Sequence, residues 1–177
     1  MRMIILVLGL MSTMMFVSTP ALAQARGYLG VQGGLSVPDA DDTSSRLGYG
    51  VVGGARLDGE FGIGAYYLNS SKEESVAGTD VDFNYQLYGF EGTFHFEGVA
   101  DGGYVGLRVG ISKVDVGGIE FSPTSYGALF GYDYFVKDNW SVGLEGSYMR
   151  VEGDDKDGVE LDGFSTLQLL ASTKVWF

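Results

Sequence analysis

Apolar side chains alternate with small or polar ones along most of the chain beyond residue 27. Eight segments of roughly ten residues show this period of two, or nearly show it, and turn-forming or acidic residues separate them. The segments span residues 28–37, 49–57, 61–70, 81–96, 104–112, 124–136, 140–148 and 167–177. Successive side chains of a β-strand point to opposite faces of a sheet, so this pattern predicts eight strands and an all-β fold.

The segments differ in how cleanly they alternate. In the fifth, Leu107 and Val109 lie on one face and Arg108 on the other. In the fourth, the apolar positions change parity between Leu87 and Phe90, which predicts a β-bulge there because one extra residue would turn the rest of the strand over. The 29 glycines disfavour helices throughout.

The connections between segments also alternate, between short and long. The short ones are residues 58–59, 98–102 and 137–139, and the long acidic ones are 38–47, 71–80, 115–123 and 152–162. Segments of this length cross a hydrocarbon layer when tilted, and nothing in the sequence provides a second layer to cover eight apolar faces. We therefore predict a transmembrane up-and-down β-barrel rather than a soluble β-sandwich. Bacterial barrels of this kind have short periplasmic turns, so both termini are predicted to be periplasmic.

Aromatic residues cluster toward both ends of the predicted strands, as in the girdles at the two membrane interfaces. On this interpretation Tyr85 belongs to the girdle at the long-loop end.

The first 23 residues follow a different pattern. Arg2 precedes an apolar run from Ile4 to Val17, and small residues end the segment at Ala23, which predicts a secretory signal peptide cleaved at that point. The run is shorter than the roughly 20 residues that a membrane-spanning helix requires. Residues 24–177 then form one barrel domain of 154 residues (177 − 23).

Charge and cysteine content exclude several classes of function. Without Arg2 the mature chain has 10 basic residues (11 − 1) against 23 acidic ones, a net charge of −13 with His neutral. Such a surface repels phosphate, so nucleic acid is not an expected partner. The chain has no cysteine, which excludes disulfides and thiolate chemistry.

Two stretches resemble a known family. They are the strand–turn–strand sequence of residues 131–141 and the terminal residues 169–177, with Val175 and the final Phe177. Both are similar to sequences of the small eight-stranded outer-membrane barrels, which include the OmpA transmembrane domain and the OmpX, Ail and OmpW groups. The resemblance implies an outer-membrane protein in contact with lipid and lipopolysaccharide, expected as a monomer. It also implies that Val175 and Phe177 form the signal read by the barrel assembly machinery.

Charged residues fall on the inward-facing positions of several strands. An eight-stranded barrel is only wide enough for its own side chains, so charges inside it have to pair. The alternation places Arg56, Arg108 and Lys174 inside with Glu145. The predicted bulge adds Glu91, which lies level with Arg108 across the short turn of residues 98–102. We expect these residues to form a charge network in the lumen; a gated ion path would use the same residues and stays open as an alternative.

Catalytic and metal chemistry have little support. His95 is the only histidine, and no Ser-His-Asp arrangement accompanies it, so neither an enzyme nor a cofactor is expected. The acidic segment 152–162 does not fit a calcium loop, because Gly153 and Phe164 fall at its first and twelfth positions. Weak divalent-cation binding at the loops stays open, and a solvated mobile loop is favoured.

The predicted function is therefore structural or interactive: envelope integrity, adhesion or ligand contact through acidic extracellular loops. A narrow channel for ions or small solutes is the alternative, and a lipid A-modifying enzyme is less expected.

Overall fold

The structure is a computed structural model that describes residues 25–39, 45–57, 60–76, 79–96, 102–116, 119–156 and 158–177. The predicted signal peptide, residues 1–23, lies outside the described residues, so it stays a prediction.

Eleven β-strands make up the described part of the chain. They are β1 (Arg26–Pro38), β2 (Arg46–Leu57), β3 (Phe61–Val76), β4 (Thr79–His95), β5 (Gly103–Val116), β6 (Ile119–Phe121), β7 (Thr124–Lys137), β8 (Trp140–Val151), β9 (Asp154–Lys156), β10 (Val159–Leu161) and β11 (Phe164–Trp176). Within those residues, no helix has the length and apolar character needed to span a membrane.

Eight of these strands form one closed sheet. Strands β1 to β5 pair in sequence order, then β5 pairs with β7, β7 with β8 and β8 with β11, and every pairing is antiparallel. Strand β1 closes the ring by pairing with β11, from Tyr28 opposite Trp176 to Pro38 opposite Thr166. The predicted eight-stranded antiparallel barrel is confirmed, and closure removes the sheet edges that would otherwise bind other chains.

The two ends of the barrel differ. We call the end that carries the β2–β3, β4–β5 and β7–β8 connections the short-turn end; Arg26 and Phe177 also lie there. The opposite end, the long-loop end, carries β6 and the small hairpin of β9 and β10.

The predicted alternation of faces appears directly in side-chain exposure. Leu107 is 69% exposed, whereas its neighbour Arg108 is 2% exposed. The same outward apolar belt includes Leu29, Val31, Leu35, Tyr49, Val51, Phe61, Ile63, Val105, Val109, Leu144, Leu167 and Leu169. A belt of exposed apolar side chains around a closed barrel is the surface that hydrocarbon requires.

Strand β4 corrects one prediction: it has no bulge between Leu87 and Phe90. Its pairings with β3 and β5 keep one register through this region. Tyr85 and Leu87 point into the barrel and are 2% and 0% exposed, while Phe90 points outward. The parity changes because the long-loop half of β4 faces an apolar interior, so Tyr85 does not belong to a lipid-facing girdle.

The long connections contain more strand than the alternation predicted. Strands β3 and β4 continue as a hairpin to Val76 opposite Thr79, and the end of β5 pairs with β6. Residues 152–162, interpreted from the sequence as a solvated loop, contain the β9–β10 hairpin. The register shift that the structure does show lies between Phe135 and Lys137 in the β7–β8 pairing.

Candidate functional site: the barrel lumen

The middle of the lumen holds three of the five charged residues selected from the sequence. Arg108 projects from β5, Glu91 from its neighbour β4, and Glu145 from β8; all three are at most 7% exposed. Glu91 and Arg108 are direct cross-strand partners. Glu145 is brought in from β8, which is separated from β5 by β7.

Arg108 bridges the two carboxylates. Its Nε and Nη2 donate to Glu91 Oε2 at 2.9 and 2.7 Å. Its Nη1 donates to Glu145 Oε1 at 2.6 Å, and its Nη2 also donates to Glu145 Oε2 at 3.2 Å. A guanidinium presents its donors in a rigid planar fork, which allows it to bind two carboxylates at once.

Tyrosine side chains complete this layer. The Tyr28 hydroxyl donates to Glu91 Oε1 at 2.9 Å, and the Tyr104 hydroxyl donates to Glu145 Oε2 at 3.2 Å. The Tyr66 ring lies against the Arg108 guanidinium, 4.7 Å from centroid to Cζ, in cation–π contact. Each carboxylate therefore has a charged partner and a neutral donor, as buried ions require.

Lys174 pairs with a residue that was not selected from the sequence. Its Nζ donates to Asp133 Oδ2 at 2.7 Å, and both side chains are buried. The same Nζ lies 3.4 Å from the Tyr104 hydroxyl, which connects this pair to the Arg108 layer. Asp133 could have been found, because it falls between the outward-facing Tyr132 and Tyr134.

Arg56 lies apart from the Arg108 layer, toward the short-turn end. It is half-buried, opposite Gly62 on β3 and Arg26 on β1. Its positive charge is close enough to influence Asp133 and His95.

An aromatic cap fills the short-turn end of the lumen. Trp176 is 3% exposed and packs against Tyr28 and Phe135, with ring centroids 5.0 and 5.4 Å away. Its Nε1 donates to Ser141 Oγ at 2.9 Å. Arg26 lies 5.6 Å from the Trp176 ring and donates to the carbonyl of Asp138, which ties β1 to the turn before β8.

The long-loop end of the lumen holds a cluster of apolar side chains, which we call the apolar plug, and the buried Arg46 lies at the same end. All of its members are at most 7% exposed and belong to one packed cluster. They are Leu68, Tyr85, Leu87, Val114, Phe121, Met149, Val151 and Phe164.

His95 lies inside the barrel near the short-turn end. It is 5% exposed; its Nε2 is 3.1 Å from Thr93 Oγ1, and its ring packs on Tyr104. These contacts are structural in kind. Within the described ranges, no three His, Asp or Glu side chains are grouped to hold a metal ion.

The barrel sequence matches a known protein family over most of its length. Residues 9–172 match the family described as "Outer membrane protein beta-barrel domain". The chain belongs to that family. Membership locates this barrel in the outer membrane, where its exposed apolar belt contacts lipid. No curated protein sequence matches the chain.

Several solved structures share the fold of this outer-membrane barrel. Neisserial surface protein A has 17% identity and a TM-score of 0.62, over 86% of this chain and 97% of its own. OprG from Pseudomonas aeruginosa has 10% identity and a TM-score of 0.53, over 85% and 96%. The N-terminal β-barrel domain of Pseudomonas aeruginosa OprF has 14% identity and a TM-score of 0.50, over 87% and 100%. At these identities the similarity establishes the fold.

The last strand of the outer-membrane barrel carries the two residues assigned to an assembly signal. Val175 and Phe177 lie on the lipid-facing surface, 54% and 70% exposed. The backbone of Phe177 exchanges hydrogen bonds of 2.8 and 2.9 Å with Gly27, at the seam between the first and last strands. Their recognition during assembly stays a prediction.

Proposed function

We propose that this protein is a closed, non-conducting outer-membrane barrel that acts through its structure and its surface loops. One observation carries the proposal: described side chains fill the lumen at three successive levels. These are the Trp176 cap, the charged layer around Arg108, and the apolar plug.

Each level resists ion passage for its own reason. The bidentate contacts of Arg108 leave no free guanidinium edge along a path past Glu91 and Glu145. Apart from the Tyr85 hydroxyl, the side chains of the apolar plug offer no oxygen or nitrogen to replace an ion's hydration shell, and stripping that shell is costly. An eight-stranded barrel has no spare width to bypass either level.

We place the short turns and both termini in the periplasm and the long loops outside the cell. The loops are rich in carboxylates, which favours contact with divalent cations or basic ligands by charge complementarity. The described loop carboxylates include Asp154, which accepts from the Ser122 backbone N–H at 3.0 Å. An exposed loop of this kind suits envelope integrity, adhesion or ligand contact better than catalysis. We propose no enzymatic activity, and a monomer as the working unit.

Conductance in planar lipid bilayers tests the closed lumen. Purified, folded protein is expected to give no stable current steps. Reproducible steps would instead establish the narrow channel.

Two measurements test orientation and assembly. A short epitope inserted after Asp157, between β9 and β10, is expected to be labelled on intact cells; labelling only after permeabilisation would reverse the orientation.

Deletion of Phe177 is expected to lower the amount of heat-modifiable folded barrel in outer-membrane fractions while export continues. Normal assembly of that truncation would contradict the proposed signal.

A further inference from the structure

Arg150 is a positive charge on the outer surface of β8, near the long-loop end. It is exposed, as are Leu144 and Tyr148 on the same face of that strand. Its cross-strand partners are Tyr126 on β7 and Ser165 on β11. No carboxylate in the described part of the chain forms an ion pair with Arg150. The lipid-facing surface therefore carries a cation without a protein counter-charge.

The spacing along β11 gives the depth of Arg150 in the membrane. Ser165, which is opposite Arg150, and the terminal Phe177 are twelve residues apart (177 − 165). At about 3.3 Å per residue and a strand tilt of about 40°, this distance corresponds to about 30 Å along the membrane normal, the thickness of the hydrocarbon core. Phe177 is exposed at the short-turn end. Arg150 consequently lies at the level of the headgroups of the opposite leaflet.

One edge of the Arg150 guanidinium is anchored to the barrel. Its Nη1 donates to Ser165 Oγ at 3.3 Å, and the Tyr148 hydroxyl donates to the same oxygen at 2.8 Å. Ser165 is 3% exposed, so the anchor is buried. A guanidinium has five N–H donors in a rigid plane, and this contact uses one of them. The remaining donors of Arg150 are available to an acceptor outside the protein.

We propose that Arg150 and Tyr126 bind the phosphate group of lipid A, in the membrane leaflet at the long-loop end. A guanidinium binds phosphate through two parallel hydrogen bonds. The Tyr126 side chain is directly opposite Arg150 and 47% exposed, so its hydroxyl provides a further donor. The choice of lipid A rests on the proposed orientation, in which the long loops lie outside the cell.

The surroundings of Arg150 favour a lipid over a soluble anion. The chain has a net charge of −12, which repels small anions in solution. Below Arg150, toward the middle of the membrane, Leu144 and Leu167 are 61% and 60% exposed. These side chains contact acyl chains, so a lipid gains apolar contact in addition to its phosphate contact. A free phosphate ion gains only the second.

Lys113 provides a matched control at the same end of the barrel. Its side chain is 40% exposed, but its Nζ already pairs with Glu120 Oε1 at 2.8 Å. Replacing Lys113 removes a positive charge of the same sign and exposure class without removing an unpaired one. The two positions therefore separate a specific phosphate contact from a general loss of positive charge.

Binding is tested with purified, folded protein in phosphate-free maltoside micelles. On addition of lipid A, the NMR signal of the Arg150 Nε–H group is expected to shift. In native mass spectrometry, Arg150→Gln is expected to weaken lipid A binding about tenfold and Tyr126→Phe about threefold, as for lost hydrogen bonds to a charged group and from a neutral donor. Lys113→Gln is expected to change binding by less than about twofold.

Two further ligands can overturn the proposal. Dephosphorylated lipid A is expected to leave the Arg150 signal in place, and an equal shift would show that the phosphate is not recognised. Inorganic phosphate is also expected to have no effect; a shift equal to that from lipid A would show a site for free anions. Unchanged lipid A binding by Arg150→Gln would contradict the site itself.

Folding and orientation are separated from binding by independent measurements. Without lipid, Arg150→Gln is expected to unfold at the wild-type urea concentration in the same micelles, so weaker binding cannot be ascribed to lost structure. Binding in micelles does not depend on which way the barrel crosses the membrane. The epitope after Asp157 reports orientation alone, so the phosphate site and the proposed orientation can fail separately.

Discussion

The lumen of this barrel is filled by two different kinds of chemistry. Around its middle and toward the short-turn end, buried ions pair: Arg108 with Glu91 and Glu145, and Lys174 with Asp133. Toward the long-loop end, the apolar plug packs like the core of a soluble protein, and the buried Arg46 is the charged side chain that the structure describes there. Side chains in both regions are buried. The regions differ in the interaction that stabilises each side chain, which is a charged partner in the first and close packing in the second.

The comparison shows why burial alone does not predict the effect of a substitution. In the charged region, removing one partner leaves an uncompensated ion away from water. In the apolar region, removing atoms leaves a cavity and lost contacts but no unpaired charge. Removing all the charges of a cluster together should therefore be milder than removing one, whereas truncations in the apolar plug should simply accumulate.

The largest effect is expected for Arg108→Ala. It leaves Glu91 and Glu145 buried together, so it should lower the free energy of unfolding by about 3–5 kcal/mol. Urea unfolding in detergent or lipid vesicles measures the change, with the exposed Arg150→Ala as the matched control. A more stable Arg108→Ala protein would show that the side chain faces lipid, where arginine at the bilayer midplane costs about 2–4 kcal/mol.

A triple variant sharpens the comparison. Combining Arg108→Met with Glu91→Gln and Glu145→Gln removes every charge of the layer, and we expect it to recover most of the stability that Arg108→Ala loses. If the triple variant is as unstable as the single one, the layer stabilises the barrel through its hydrogen-bond geometry rather than through charge balance.

In the apolar plug, Met149→Ala is expected to cost about 2–5 kcal/mol, because its 0% exposure leaves no solvent to fill the cavity. Met149→Leu keeps most of the volume and should cost less than about 1.5 kcal/mol. Equal losses for both substitutions would show that the position depends on the methionine itself rather than on packing.

Gly143→Ala tests how closely the charged region is packed. A Cβ at this position would collide with Asp133 Oδ1 and lie 2.9 Å from Ser172 Oγ, so Asp133 would move away from Lys174. We expect a loss of about 1–3 kcal/mol, typical of overpacking. The matched control is Gly92→Ala, which meets nothing within 4 Å. An unchanged Gly143→Ala protein would mean that Asp133 has room to move without losing its partner.

The smallest effect is expected at the long-loop end, outside the membrane. Lys113 donates a hydrogen bond to Glu120 at 2.8 Å and holds the pKa of that carboxyl below its usual value. A lowered carboxyl pKa contributes stability that is present above the usual glutamate pKa and is lost as pH falls through the lowered value. The pair is exposed and screened, so Glu120→Gln should leave the urea midpoint unchanged at neutral pH and at pH 4. A clear change in the urea midpoint would show that the pairing of β5 with β6 stabilises the apolar plug.

Much of the barrel could be predicted from the sequence because its determinants are local. The clean alternation around Leu107 and Arg108 predicts strand and face without knowledge of any neighbour. The prediction of a bulge in β4 was wrong, and the alternation alone could not have shown why. Tyr85 and Leu87 are apolar like lipid-facing residues, and only the composition of the opposite wall shows that they point inward.

The ion pairs divide in the same way. Glu91 and Arg108 are level across a short turn, so their proximity follows from the hairpin alone. Glu145 comes from β8, and Asp133 and Lys174 are 41 residues apart. Whether these side chains reach their partners therefore depends on the stagger of the strands in the closed barrel. Asp133 had an inward position in the pattern but no sequence signal of a partner.

By itself, the sequence determined the number of barrel strands, which residues of the cleanly alternating strands face lipid, and that several charges point inward, because backbone pleating imposes a period of two wherever a strand forms. The tertiary structure alone decided which charges meet, where the lumen is apolar, and that Trp176 and Phe121 fill it near its two ends. Those contacts join strands that are distant in the chain, and they exist only once β1 and β11 pair and set the register around the ring.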